Sequence, residues 1–187
     1  KSSAASDVYK RQALLGFGDD KVAAMGIVMK INMIAALVLV GFAFGGQPLI
    51  GYNYGAKNRE RLKGTLKFAY LFECGMSLVL IVALGAFAPQ LVRIFMSDPA
   101  VVENGALMLR LQLAGMMFMG IVLISTCTFQ SAGQAVGAFL LSVSRQGVIF
   151  AIVLNVALRV AGYQGVLASQ AVSDLLTALL AVVLVLR

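Results

Sequence analysis

The sequence has 187 residues, of which 60% are hydrophobic and 12% are charged, and its formal net charge is +7. Soluble domains average about 45–50% apolar and about 25% charged residues, so this composition excludes an ordinary soluble protein and predicts a membrane protein. The sequence has no histidine, and its two cysteines form no CxxC pair. Zinc sites and Cys-His or Ser-His catalysis are therefore not expected, and we predict no catalytic residue, cofactor or metal.

Residues 1–12 are polar and unlike the rest of the sequence. They lack the long apolar core of a signal peptide. We interpret them as a non-native or artefactual leader, and residues 13–187 as a membrane domain. Because the first residue is Lys1 and not methionine, we expect part of the protein to be missing.

Five stretches of the sequence have the length and character of membrane spans. A span needs about 20 apolar residues, and these stretches cover residues 22–52, 66–95, 106–129, 136–160 and 166–186. They are apolar nearly all round, whereas the helices of a soluble bundle carry polar faces. We therefore predict an all-α polytopic membrane protein with about five transmembrane helices.

The first span contains one cation and a glycine-rich end. Lys30 lies about eight residues from the outer end of the helix, or roughly 12 Å at 1.5 Å per residue. There it either lines a cavity or extends its ammonium group to the membrane surface. Gly45, Gly46 and Pro48 interrupt the other end of this span, and we expect them to act as a helix hinge.

A cluster of cations between Lys57 and Lys67 follows the first span. It has no interleaved aromatic residues, so it does not indicate nucleic-acid binding. Short loops rich in lysine and arginine face the cytoplasm in membrane proteins. We predict that this loop is cytoplasmic, and alternation of the spans then places Arg187 on the same side.

The later spans are separated by clear breaks. Pro89 interrupts the second span near its end, and Ser97 or Asp98 is expected to cap a helix that begins at Pro99. Four methionines crowd the third span, where they either pack against neighbours or form an adaptable apolar binding surface. Polar turns at 130–134 and 162–165 separate the last three spans.

Three ionisable residues share a predicted depth in the bilayer. At 1.5 Å per residue, Glu73, Arg145 and Asp174 all lie about 10–15 Å from the cytoplasmic surface. A charge at such depth costs at least about 2.5–3.5 kcal/mol, so each needs a partner or a water-filled path. We expect Arg145 to pair with Asp174 or with Glu73. Gln170 lies one turn before Asp174 and extends a polar face, which either binds a coupling ion or holds helices together.

The segment from Gly45 to Asn58, GGQPLIGYNYGAKN, resembles the end of the second helix of the C-terminal lobe in multidrug and toxic compound extrusion (MATE) transporters. Further matching motifs follow the order of that family, at residues 16–19, 95–99, 129–133, 144–146 and 162–166. Members of the family have twelve helices in two lobes of six. The resemblance implies that this chain is a partial C-terminal lobe with helices eight to twelve.

The resemblance also implies a function. It implies a secondary active multidrug efflux antiporter of the cell inner membrane, which exports cationic or amphipathic organic compounds in exchange for H+ or Na+. Its partners would be the lipid bilayer, the small organic substrates and the missing N-terminal lobe. In sodium-coupled members the third of these spans carries an acidic residue, but residues 115–124 have none. The coupling carboxylate is therefore expected in the missing half.

Two alternatives remain open at this point. Flippases of the same superfamily move lipid-linked saccharides and have the same architecture. A membrane scaffold that transports nothing is the other alternative, and in such a protein the buried charges should be replaceable without loss. An intramembrane enzyme is disfavoured, because the sequence offers no set of nucleophile and base.

Overall fold

The structure is a computed structural model that describes residues 8–10, 12 and 15–186. Within these residues the chain is helical, with short turns between the helices and no β-strand. The helices are α1 (Asp19–Gly55), α2 (Arg59–Ala86), α3 (Ala88–Arg93), α4 (Pro99–Leu113), α5 (Met116–Ser131), α6 (Ala135–Val143) and α7 (Ile149–Leu186). A 3-10 turn, Leu15–Phe17, precedes α1, and a π-helical turn, Ser144–Val148, joins α6 to α7.

The described helices confirm an all-α membrane fold. Asp19–Gly55, Arg59–Ala86 and the run Ala135–Val185 are each long and apolar enough to cross a membrane, and the bent pair α4 and α5 raises the number to four. The long run contains two helices, because Gly162 has a non-helical backbone (φ 52°, ψ −127°). Gly165 then packs directly against the backbone of Ala157, so the chain folds back on itself. This division supplies the predicted fourth and fifth spans.

Helix α5 is the central element of the bundle. It packs against α1, α2 and α7, and its buried residues belong to each of the three apolar clusters of the lobe. One cluster joins it to α1, α3, α4 and α7, the second to α6 and the end of α7, and the third to α1 and α2. Many large apolar side chains on the outer helices are exposed, as expected for surfaces that face lipid or another membrane domain.

Two boundaries agree with the sequence. The carboxylate of Asp98 caps α4 by accepting hydrogen bonds from the amides of Ala100 and Val101, at 2.8 and 3.3 Å. The second span breaks at Phe87, and Pro89 lies in the first turn of α3. Proline has no N–H to donate to the carbonyl four residues earlier. The guanidinium of Arg110 donates to that carbonyl, on Gly85, at 3.0 Å.

Two other boundaries differ from the sequence prediction. Helix α1 continues through the glycines and Pro48 and ends at Gly55, so the predicted interruption of this span is wrong. Proline is tolerated inside membrane helices because neighbouring groups satisfy the freed backbone atoms. The third span starts at Pro99 and not near residue 106, and it bends by 41° between α4 and α5.

Candidate functional site

A π-helical turn holds Arg145 at the junction of α6 and α7. The amide of Ile149 donates to the carbonyl of Ser144, five residues earlier, and not to the carbonyl of Arg145 as it would in an α-helix. The hydroxyl of Ser173, in the part of α7 after Gly162, donates to the Arg145 carbonyl at 3.1 Å. This bond ties the turn to the last helix. Wide turns of this kind are frequent at functional sites.

Asp174 is the ion-pair partner of Arg145. Nε of Arg145 lies 2.9 Å from Oδ1 of Asp174, and the two side chains are only 14% and 4% exposed. The amide group of Gln170 donates to both carboxylate oxygens, at 3.2 and 3.3 Å. Mutual neutralisation and these extra hydrogen bonds reduce the cost of burying the charges. Of the two partners expected for Arg145, the structure places Asp174 in contact with it.

The ion pair lines a cavity of about 610 Å³. The remaining wall combines apolar side chains, among them several methionines, with carboxamide groups. Apolar walls with a few polar groups are typical of sites for organic molecules, and flexible thioethers adapt to ligands of different shapes. The principal lining residues of this cavity are Met29, Lys30, Asn32, Met33, Gln112, Met116, Met119, Arg145, Gln146, Gln170 and Asp174.

Lys30 lies on the wall of this cavity and extends towards the turn after α3. Its side chain is exposed, and its ammonium group lies 5.9 Å from the centre of the Phe95 ring. That distance is at the limit of a cation–π interaction, which is about 6 Å. Lys30 therefore lines the cavity, and extension of its charge to the membrane surface stays a prediction.

Two carboxamide residues of the cavity were not identified from the sequence. Asn32 donates to Oε1 of Gln112 at 2.6 Å, and Gln112 donates to the sulfur of Met25 at 3.0 Å. Oδ1 of Asn32 is buried and has no hydrogen-bond partner among the described residues. The sequence signal that could have identified them is a carboxamide within an apolar span, because such a group needs a hydrogen-bond partner in the membrane. Asn32 therefore lines the cavity with one of its polar atoms unpaired among the described residues.

Glu73 does not join the Arg145–Asp174 pair, and this corrects the alternative pairing expected from the sequence. Its side chain is fully buried between α2 and α5, where a Cβ added to Gly120 would lie 2.7 Å from its Cγ. A Cβ added to Gly115, five residues earlier, would lie 3.3 Å from Oδ2 of Asp174. Gly115 and Gly120 are five residues apart, which corresponds to about one and a half helical turns or roughly 7.5 Å. Glu73 and the ion pair therefore contact different faces of the chain at the start of α5.

The expected hinge residues lie inside a continuous helix. Gly45, Gly46 and Pro48 belong to α1, and a Cβ added to either glycine would meet nothing within 4 Å. The hydroxyl of Ser131 donates to the carbonyl of Gln47 at 3.2 Å and attaches this segment to the end of α5. The glycines are not required for close packing, and their role as a hinge stays a prediction.

Lys10 also lies in the cavity, although the sequence predicts that residues 1–12 are a non-native leader. Its ammonium group donates to Oε1 of Gln170 at 2.8 Å and lies 5.3 Å from the ring centre of Phe150. Residues 1–7 and 11 lie outside the described part of the chain, as does Arg187. The assignment of the leader and the position of Arg187 therefore stay predictions.

Metal ligation has no support in the part of the chain that the structure describes, which holds no group of three or more His, Cys, Asp or Glu side chains suited to a metal ion. Cys74 and Cys127 are free thiols in α2 and α5. The cavity combines adaptable apolar side chains, hydrogen-bonding amides and a buried ion pair.

Comparison with known sequences finds a matching family model and several similar proteins. The MatE family model matches residues 13–158. The multidrug export protein MepA of Staphylococcus aureus is 30% identical over 173 residues, and MepA of Staphylococcus haemolyticus is 28% identical over 177 residues. Each match covers 92% of this chain but 38% of the relative. The chain therefore spans less than half the length of these relatives.

Comparison with solved structures shows the fold. An outward-facing multidrug resistance MATE family transporter of the MOP superfamily superposes with a TM-score of 0.88 at 18% identity. The Vibrio cholerae MATE transporter VcmN, in a bent form, gives 0.86 at 20% identity, and a MOP superfamily transporter from Pyrococcus furiosus gives 0.87 at 18%. Each superposition covers 96% of this chain and 41% of the solved chain.

Proposed function

Because this chain belongs to the MatE family, we propose that it forms most of the C-terminal lobe of a secondary active multidrug efflux antiporter. The protein is a multi-pass membrane protein, and its relatives are transporters and not classical enzymes. The complete protein would export cationic or amphipathic organic compounds from the cell across the inner membrane. The exchanged ion would be H+ or Na+.

The cavity beside the Arg145–Asp174 pair is the observation that carries this proposal. It lies within the helix bundle and has a volume of about 610 Å³, which is within the usual range of about 300–1,000 Å³ for small-molecule sites. Secondary transporters bind their substrates near the middle of the membrane, between two repeats that move against each other. This lobe would supply one wall of the site, and an N-terminal lobe would supply the other.

The basic loop gives the proposed orientation. Lys57, Arg59, Arg61 and Lys63 are all exposed at the junction of α1 and α2. Cations in short loops favour the cytoplasmic side of the membrane, so we place this junction there. The Asp98 turn then lies on the outer side, and alternation would return Arg187 to the cytoplasm.

Efflux measurements on the complete protein test the proposal. Cells that express it should exclude a cationic dye and survive higher drug concentrations, and collapse of the gradient of the coupling ion, H+ or Na+, should abolish the effect. Ala36→Phe narrows the cavity, since Ala36 lines it, and should reduce efflux. Ala83→Phe is the matched control, because Ala83 is exposed on α2 and is absent from the cavity lining.

The same experiment distinguishes the alternatives. If Ala36→Phe and Ala83→Phe give the same efflux and the cells do not export the dye, the cavity is not a drug site. Transfer of a lipid-linked saccharide between leaflets by the purified protein, without dye export, would identify a flippase. A protein that moves neither and tolerates neutralisation of its buried charges would be a membrane scaffold.

A further inference from the structure

Glu73 is a buried acidic residue that is not part of the cavity lining. Its side chain is 0% exposed, and neither carboxylate oxygen has a hydrogen-bond partner among the described residues. Among all the residues that the structure describes, the pair Arg145–Asp174 is the one salt bridge with a nitrogen–oxygen distance within 4.0 Å. No described lysine or arginine therefore neutralises Glu73.

The surroundings of Glu73 are apolar or weakly polar. On its own helix, Ser77 lies one turn away and donates its hydroxyl to the carbonyl of Met116 at 3.3 Å. On α5, Gly120 leaves the space that the Glu73 side chain fills. The titratable groups that interact electrostatically with it are the thiols of Cys74, on α2, and Cys127, on α5. Neither thiol supplies a positive charge.

The burial of Glu73 limits the protonation state that its carboxyl group can have. An ionised carboxylate without a partner in a low-dielectric interior costs many kcal/mol, whereas a neutral acid costs far less. The hydroxyl of Ser77, one turn from Glu73, is already bonded to the carbonyl of Met116. A bound proton removes the charge of Glu73 without any further charged group.

We propose that Glu73 is a proton-binding site between α2 and α5, separate from the cavity. It holds a proton as a carboxylic acid while the two helices are packed and releases it as H+, leaving a carboxylate, when their separation admits water. The release step rests on the antiport function proposed above. The bound proton does not, because it follows from burial alone.

Infrared difference spectroscopy of the complete, purified protein in lipid tests the bound proton. A carboxylic acid and a carboxylate have distinct carbonyl bands. The difference between the wild type and Glu73→Gln at neutral pH should show the loss of a carboxylic-acid band. Glu60→Gln is the matched control, because Glu60 is an exposed glutamate in the first turn of the same helix, and it should lose a carboxylate band. Loss of a carboxylate band in Glu73→Gln would overturn the proposal.

Folding of neutral variants gives a second readout. Because the group is neutral in the packed lobe, Glu73→Gln and Glu73→Met should both fold and melt no lower than the Glu60→Gln control. Failure of both to fold, with the control intact, would contradict the proposal. In proteoliposomes the pH dependence of export should be flattened in Glu73→Gln and unchanged in Glu60→Gln. A pH dependence identical to that of the wild type would refute the release step, whereas the absence of any export would refute the antiport function and leave the spectroscopic result standing.

Discussion

Arg145 and Asp174 show how a membrane lobe accommodates charge. The pair is buried between the π-helical turn and α7, where Gln170 donates to the carboxylate of Asp174 and Ser173 donates to the main-chain carbonyl of Arg145. Removal of one partner from a buried ion pair leaves an uncompensated charge, and this typically costs about 3–5 kcal/mol. The pairing was among the sequence predictions because both residues fell at one depth. The choice between Asp174 and Glu73 required the helix packing, which no spacing along the chain reveals.

The first prediction concerns this pair. Arg145→Gln and Asp174→Asn should each lower the thermal stability of the complete protein in detergent, and the double variant should recover part of the loss, because it removes both charges together. Thermal unfolding of the four proteins measures the coupling. A second double-mutant cycle at the exposed residues Glu60 and Arg61 is the control, and there the changes in thermal stability should add. A double variant as unstable as the sum of the single variants would show that the pair does not stabilise the lobe.

At the scale of the helices, sequence reasoning identified the spans better than their irregularities. Composition and length defined the apolar segments, and residues with distinctive chemistry defined the Asp98 cap and the Pro89 break. The π-helical turn was missed because Ser144–Val148 contains no proline and the chain stays helical on both sides of it. The bend before α5 was missed because Gly115 is marked only by close contacts with Ala171 and Asp174, which belong to another helix.

The second prediction tests the proposed hinge in α1. Alanine fits at Gly45 and Gly46 without contact, and it also fits at Gly41, one turn earlier in the same helix. Each replacement should stabilise the helix by up to about 1 kcal/mol, because glycine loses more backbone entropy on folding. If residues 45–48 form a hinge, Gly45→Ala and Gly46→Ala should slow dye export while Gly41→Ala does not. Equal export rates in all three variants would show that residues 45–48 do not act as a hinge.

The third prediction concerns the break at Pro89. Arg110 replaces the hydrogen bond that proline cannot donate to Gly85. Arg110→Leu leaves this carbonyl without its partner and should destabilise the protein by about 0.5–1.5 kcal/mol. Arg93→Leu is the control, because Arg93 is also exposed nearby, whereas the carbonyl of Gly85 accepts from Arg110. A melting temperature of Arg110→Leu equal to that of the control would show that water satisfies the carbonyl equally well.

At the scale of the whole molecule, the chain has the fold of part of a MATE transporter. Its fold superposes on MATE transporters over 96% of its length, but it covers only 41% of those chains. Alternating access requires one bundle to move against another, so this lobe alone should not transport. The complete reading frame should encode a first lobe of six helices before residue 13. An upstream region without such a lobe would contradict the family assignment of the complete protein.

Transport by the reconstituted complete protein tests the central claim most directly. Proteoliposomes that contain both lobes should move a cationic dye when a proton or sodium gradient is imposed, and liposomes that contain residues 13–187 alone should not. Export by the complete protein that depends on one of these gradients and weakens in Ala36→Phe is the predicted result. No gradient-driven export by the complete, folded protein, or equal export by the isolated lobe, would contradict the account.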